Sequence, residues 1–349
     1  MKLARLAILT TSLSLLAVAG RGGTPAQAQV KLLNVSYDPT RELYQEVNKT
    51  FAEKWKQQTG QTVEISQSHG GSGKQARSVI DGLEADVVTL ALAADIDAIV
   101  EKSKRIAPDW ATRLPNRSTP YSSTIVFVVR KGNPRQIKDW EDLVKPGTVV
   151  VTANPKTSGG ARWAYLAAWG AAQQKLGSPD KAKDFVAKLY KNAVSLPSSG
   201  RDATTAFLGG TGDVFLTYEN EAILAKQNGA DVDYVLPADT LLIENPAAVT
   251  VDASDAAKSF LEFMTSPEAQ ADYAQSGFRP VVDGVEIGEV EGANDPSDPF
   301  PAPEQLFTID GDFNGWGEAA DKYFGDGEDG NPLGIITELQ QETGKVGDE

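Results

Sequence analysis

The sequence predicts an α/β fold with largely parallel sheets, and three observations carry that reading. From residue 30 onward, short apolar runs of strand length alternate with stretches that place apolar residues every three or four positions. Several of the turns from a run into the next helical stretch are unusually rich in Gly and Ser. No repeat of fixed period is present, which removes solenoids and propellers. The chain has 349 residues, enough for two domains or one large one, and its 41% apolar and 23% charged residues suit a folded globular protein.

Val30 to Tyr37 reads as the first strand. Arg41 to Thr59 reads as a helix, because Leu43, Val47, Phe51 and Trp55 share one face at i, i+4 spacing and Gly60 stops it. Val63 to Ile65 begins a second strand, Gln75 to Ile80 a second helix and Asp86 to Leu92 a third strand. Ile125 to Arg130 and Thr148 to Thr152 are strand-like. Ala161 through Gln174 is Ala-rich and carries Trp163, Leu166, Ala167 and Gly170 along one stripe, so a helix is expected. Asp180 to Tyr190 and Glu219 to Gln227 are further helices, and Val249 to Val251 is a short strand after Pro246. Asp255 to Ser276 closes the regular part, with Phe260, Phe263 and Met264 facing inward. Residues 281 to 304 hold seven acids, no Lys or Arg, and Pro296, Pro299, Pro301 and Pro303, the composition of an extended, solvated loop.

Residues 1 to 28 read as a signal peptide: Lys2 and Arg5 precede an apolar run from Leu6 to Ala19, and Ala26-Gln27-Ala28 offers a cleavage site. That run is short for a bilayer span, which needs about 20 residues. The net charge is −15, and it is concentrated: residues 281 to 349 carry 2 Lys plus Arg against 18 Asp plus Glu, while the rest is nearly balanced. Without a basic face, no nucleic-acid partner is expected. Cysteine is absent and His69 is the one histidine, which excludes disulfides, thiolate zinc sites, a cysteine nucleophile and any site needing two imidazoles. No cofactor or metal is expected.

Three turns carry the informative residues: Gln67-Ser68-His69-Gly70-Gly71-Ser72-Gly73-Lys74-Gln75, Asn154-Pro155-Lys156-Thr157-Ser158-Gly159-Gly160-Ala161-Arg162, and Ser198-Ser199-Gly200-Arg201-Asp202. A helix N-terminus presents unpaired N–H groups and the positive end of the helix dipole, Gly lets an anion approach the main chain, and Ser adds a hydroxyl. One such turn is an ordinary cap, whereas three point to a converging anion site. Other motifs reduce to plainer readings. Gly73-Lys74 lacks the Ser or Thr a nucleotide-binding loop needs, because Gln75 follows. Gly325-Asp326-Gly327-Glu328-Asp329-Gly330 follows no strand, and its acids would repel a pyrophosphate. Asp310-Gly311-Asp312-Phe313-Asn314-Gly315 with Asp321 fits half of a calcium loop, but a solvated turn before a helix is the better reading. His69 is read as a buried or turn-stabilising residue, since no Gly-x-Ser-x-Gly elbow exists for it to serve.

At these turns the chain resembles the sulfate-binding proteins of bacterial ABC-type sulfate and thiosulfate uptake. Leu33-Asn34-Val35-Ser36-Tyr37-Asp38-Pro39-Thr40-Arg41-Glu42-Leu43, the Gln67 to Gln75 turn and the Asn154 to Arg162 turn read almost as that family does, and Ser276-Gly277-Phe278-Arg279-Pro280 resembles the end of its last shared helix. The resemblance implies a two-lobed periplasmic binding protein fold of type II, with a ligand cleft between lobes joined by two or three strands. It implies lobe I at residues 29–118 plus 246–349 and lobe II at 119–245. It also implies an exported, periplasmic, monomeric and non-enzymatic protein that captures sulfate and hands it to the transmembrane subunits of an ABC-type permease. Carried over by position, backbone N–H donors fall at Asp38, Ser72, Gly159, Gly160 and Gly200, and hydroxyl donors at Ser72 and Ser158. Gly200 stands where the family usually has Ala. Tyr218 stands where it usually has a tryptophan, whose indole N–H completes the set. Lys74, Arg162 and Arg201 lie beside the donors and stay outside this set. The alternatives are a binding protein for thiosulfate, molybdate or phosphate and, from another class, an enzyme that processes phosphate or sulfate esters, which would need a nucleophile, a base or a metal cluster.

Overall fold

The computed structural model describes residues 29–327 and 332–344, so the expected signal segment lies outside the described residues. In chain order the strands are β1 (Val30–Ser36), β2 (Val63–Ser68), β3 (Val87–Thr89), β4 (Tyr121–Arg130), β5 (Val150–Val151) and β6 (Ala193–Ser195). They continue with β7 (Val214–Tyr218), β8 (Val232–Val235), β9 (Asp239–Asn245), β10 (Ala247–Val249), β11 (Arg279–Pro280) and β12 (Gln305–Phe307). One sheet has the order β10-β3-β1-β2 and the other β12-β9-β4-β7-β5-β6, with β8 and β11 also on β4. The first sheet is parallel except for β10. The second is mixed rather than largely parallel, because β4 runs antiparallel to β7, β8 and β9. The chain therefore enters the second sheet along β4 and leaves along β9, whose Asn245 pairs with Tyr121.

Local chemistry explains the boundaries. The helix Leu43–Thr59 buries Leu43, Val47 and Phe51 as the spacing requires, and Gly60 ends it at φ 75 with its N–H on the Lys56 carbonyl. The helix Gly159–Leu176 is apolar on nearly every side and runs through the main core. There Gly170 leaves the space that the Phe307 ring fills, since a Cβ would stand 3.0 Å from that ring.

Three segments of the C-terminal half show how its residues pack. Residues 255 to 276 form two helices, Asp255–Phe263 and Pro267–Gln275, because Pro267 lacks an N–H to continue the first and the Ser266 side chain caps the second. Phe260, Phe263 and Met264 are buried as expected. The acidic stretch 281–304 has no regular element, but it is not wholly solvated, since Val290 and Ala293 are buried against the Ile223 and Tyr234 side of the second sheet. Finally, β12 pairs with β9, and Trp316, Tyr323 and Leu339 join the core around Trp163. The apolar residues of this C-terminal segment thus bury themselves on the second sheet. Among the described residues no helix is long and apolar enough to cross a membrane.

Candidate anion-binding site

Asp38, Ser72, Ser158, Gly159, Gly160, Gly200 and Tyr218 all line one small cavity of about 20 Å³. They reach it because three helices begin at its wall: Ser72–Ile80 after β2, Gly159–Leu176 after β5, and Gly200–Leu208 after β6. The N–H groups of each first turn have no partner within their helix, so the cavity faces three sets of donors and three positive dipole ends. Asp38 opens a short 3-10 turn, Asp38–Thr40, directly after β1.

The turns are in contact with one another. A Cβ on Gly71 would stand 2.4 Å from the Thr157 carbonyl oxygen and 3.2 Å from that of Ser198. A Cβ on Gly159 would stand 2.6 Å from that of Ala91 and 3.3 Å from that of Ser72. The Thr157 hydroxyl donates to the Ser198 carbonyl at 2.6 Å, and the Asn154 N–H donates to that of Pro197 at 2.8 Å. Elements of both sheets therefore meet around one point.

Each expected donor has a definite environment. Ser158 caps its helix, its Oγ accepting from the Ala161 N–H at 3.4 Å, which leaves the hydroxyl hydrogen to donate. Ser72 differs from expectation: its hydroxyl donates to Asp95 Oδ2 at 2.5 Å and accepts from the Ala91 N–H at 2.9 Å. The buried Asp95 carboxylate needs that hydrogen, so Ser72 offers the cavity its main chain only. Asp38 differs as well, because its N–H donates to the Gly70 carbonyl at 3.1 Å and its carboxylate pairs with Arg41 at 2.7 Å. Tyr218 precedes the helix Glu219–Gln227 and is buried, with its ring beside Gly160 and edge-on to Tyr37 at 6.1 Å. Its hydroxyl meets no partner at full hydrogen-bonding geometry among the described residues; burial raises the phenol pKa, opposed by the nearby Asn245 side chain, so the group stays protonated and able to donate.

No cationic side chain lines the cavity among the described residues. Lys74 is exposed, Arg162 donates to the Pro155 carbonyl at 2.9 Å, and Arg201 forms a forked pair with Glu42 at 2.9 and 2.6 Å. His69 is partly buried beside Arg41 and Asp38. Burial first, and then the Arg41 charge, hold its imidazole down to about 4, below the ordinary 6.5. The sequence reading missed Gly71 and Asp95. The Gly pair at 70 and 71 was visible, but only the tertiary contact distinguishes its members. The wall can hold an anion by hydrogen bonds and helix dipoles.

Two sheets whose helix-start turns converge on an ion-sized cavity define a two-lobed solute-binding protein. The chain belongs to the family described as bacterial extracellular solute-binding protein, which matches residues 33–279. It is 51% identical over 309 residues to the sulfate-binding protein of Escherichia coli (strain K12), an alignment that covers 85% of this chain and 91% of that one. It is 42% identical over 325 residues to the thiosulfate-binding protein of Pseudomonas aeruginosa PAO1, with coverages of 90% and 96%. Among solved structures, the sulfate-binding protein SubI from Mycobacterium tuberculosis H37Rv matches with a TM-score of 0.77 and 36% identity, over 84% of this chain and 99% of that one.

Proposed function

We propose that this chain is an exported, periplasmic and non-enzymatic binding protein that captures sulfate and delivers it to the transmembrane subunits of an ABC-type permease. The observation that carries the reading is the convergence of three helix N-termini and the Ser158 hydroxyl on a cavity without a cationic wall. Sulfate has four acceptor oxygens and no hydrogen, so it needs donors alone. The relatives named for sulfate and thiosulfate support the same ligand class. The proposed contacts are the N–H groups of Ser72, Gly159, Gly160 and Gly200 and the hydroxyls of Ser158 and Tyr218. Asp38 is left out of the direct set because Gly70 takes its N–H.

Isothermal titration tests the reading. Sulfate is expected to bind at one site without added metal and more tightly than thiosulfate, molybdate or phosphate, while sulfate and phosphate esters are not turned over. A stronger response to thiosulfate would move the ligand assignment, and ester turnover would end the binding-protein reading. A monomer is expected in sedimentation.

Ser158→Ala removes one charge-assisted donor and is expected to weaken sulfate by about 1.5–3 kcal/mol. Equal affinities for the variant and the parent would take this hydroxyl out of the site. Tyr218→Phe keeps the ring beside Gly160 and removes only the hydroxyl, so a smaller loss, about three- to tenfold, is expected. An unchanged titration would mean that the phenol packs without donating.

A further inference from the structure

The helix Ile335–Glu342, near the end of the chain, docks beside Pro179–Asn192 and buries Ile336 and Leu339 in the core around Trp163. Gln340 is buried on the same helix, with 3% exposure. Packing alone would favour an apolar side chain there, because a buried amide costs free energy unless it is bonded. Its Nε2 donates to Asn154 Oδ1 at 3.2 Å, across 186 positions of sequence, while its Oε1 takes no hydrogen bond among the described residues. The contact with Asn154 is therefore what this amide supplies that a leucine would not.

Asn154 opens the second of the three Gly-Ser turns and organises it. Its carbonyl accepts from the Thr157 N–H at 3.2 Å and from the Ser158 N–H at 2.8 Å. Its Oδ1 accepts from the Lys156 N–H at 3.0 Å as well as from Gln340. Its own N–H donates to the Pro197 carbonyl, just before the third turn. Because Oδ1 already accepts from a backbone N–H, the bond with Gln340 runs from the Gln340 amide to that oxygen and fixes which way the Asn154 side chain faces. The rest of the C-terminal segment leans on the helix that this turn starts. Trp316 stands edge-on to Trp163 at 4.8 Å, and the Arg162 guanidinium lies over the Phe324 ring at 5.4 Å.

We propose that Gln340 is a positioning residue for the anion site: acting through Asn154, it holds the turn that presents Ser158, Gly159 and Gly160, and so ties anion affinity to the C-terminal helix. The proposal rests on the sulfate reading for its ligand. Gln340 lies outside the cavity wall and touches no anion. Its effect is preorganisation, since removing the amide takes away one of the bonds that set Asn154 and leaves the donors at 158 to 160 less ordered before the anion arrives.

Gln340→Met keeps a buried, flexible side chain and removes the donor, and is expected to weaken sulfate about three- to tenfold in titration. Gln340→Glu keeps the length but sets an acceptor against Asn154 Oδ1, so it should weaken sulfate at least as much. The control lies on the same helix: Glu338 accepts from Lys183 at 2.6 Å on its other side, and Glu338→Gln should titrate as the parent does. Hydrogen exchange without anion supplies a readout independent of the ligand. In Gln340→Met, amides of residues 154–162 should exchange faster than in the parent, while those of the helix Pro179–Asn192, which packs on the same C-terminal helix, should not change. The proposal is overturned if both Gln340 variants bind sulfate as the parent does, if Glu338→Gln weakens it equally, or if exchange rises at 179–192 as much as at 154–162, since the helix would then act by packing alone. If the parent itself fails to bind sulfate, the ligand reading falls and the exchange comparison still decides whether Gln340 holds the turn.

Discussion

Gly71→Ala is expected to weaken sulfate by about 5- to 150-fold, the 1–3 kcal/mol typical of forcing a methyl group into a filled space. The added Cβ would stand 2.4 Å from the Thr157 carbonyl oxygen. That oxygen belongs to the backbone, so it cannot rotate aside. Gly71 has an ordinary φ of −61, so the substitution introduces no backbone strain of its own. Its whole effect falls on the approach of the first turn to the second, which is the step that brings the donors together. The neighbouring glycine is the control: a Cβ on Gly70 would meet only the flexible Gln75 side chain at 3.6 Å. Gly70→Ala should therefore titrate nearly as the parent does. Gly159→Val should resemble Gly71→Ala, since its Cβ would meet Ala91 at 2.6 Å. Equal affinities for Gly70→Ala and Gly71→Ala would show that the turns do not press together when the anion is bound.

How far the sequence could be read depended on whether the signal was local. The helix Leu43–Thr59 was legible because its apolar spacing and its stop at Gly60 lie in one continuous stretch. The three helix starts were legible because Gly and Ser at such a turn have few other uses, and all seven expected residues do line one cavity. Strands β7 to β9 were not singled out, because Val214 to Asn245 mixes short apolar runs with polar residues whose role is set by pairing with β4. The break at Pro267 is a local signal too, because proline has no N–H with which to continue the preceding helix. The return of the C-terminal segment to the second sheet was invisible, since its acidic composition hides the few apolar side chains, among them Phe307 and Trp316, that direct it. The Ser72 hydroxyl illustrates the same limit at the site. Residue type says that it can donate, but Asp95, 23 positions away, decides where.

Sulfate is expected to be preferred over hydrogen phosphate by at least about tenfold to a hundredfold, because the wall offers hydrogens and lacks a free acceptor. The two anions share a shape and nearly share a charge at neutral pH, but hydrogen phosphate carries a proton that must be donated to something. Among the described residues Asp38 is the one carboxylate on the wall, and Arg41 occupies it at 2.7 Å. Asp95 lies behind Ser72, whose hydroxyl hydrogen it already receives. The phosphate proton would thus be buried against other donors, at a cost of about 1–3 kcal/mol. The pH dependence follows from the same inventory. Sulfate stays fully ionised between pH 5 and 8, and His69 stays neutral there because it is held down to about 4, so affinity should be flat across that range. Stability should behave differently. The unfolded chain takes up the His69 proton near its ordinary 6.5, whereas the folded protein resists it until about 4, so this residue's contribution is complete above 6.5 and is lost as pH falls toward 4. Competition titrations at several pH values, paired with thermal melts, measure both halves. Comparable affinities for the two anions would mean that a carboxylate reaches the ligand, and Asp38→Asn would then be expected to restore the preference for sulfate.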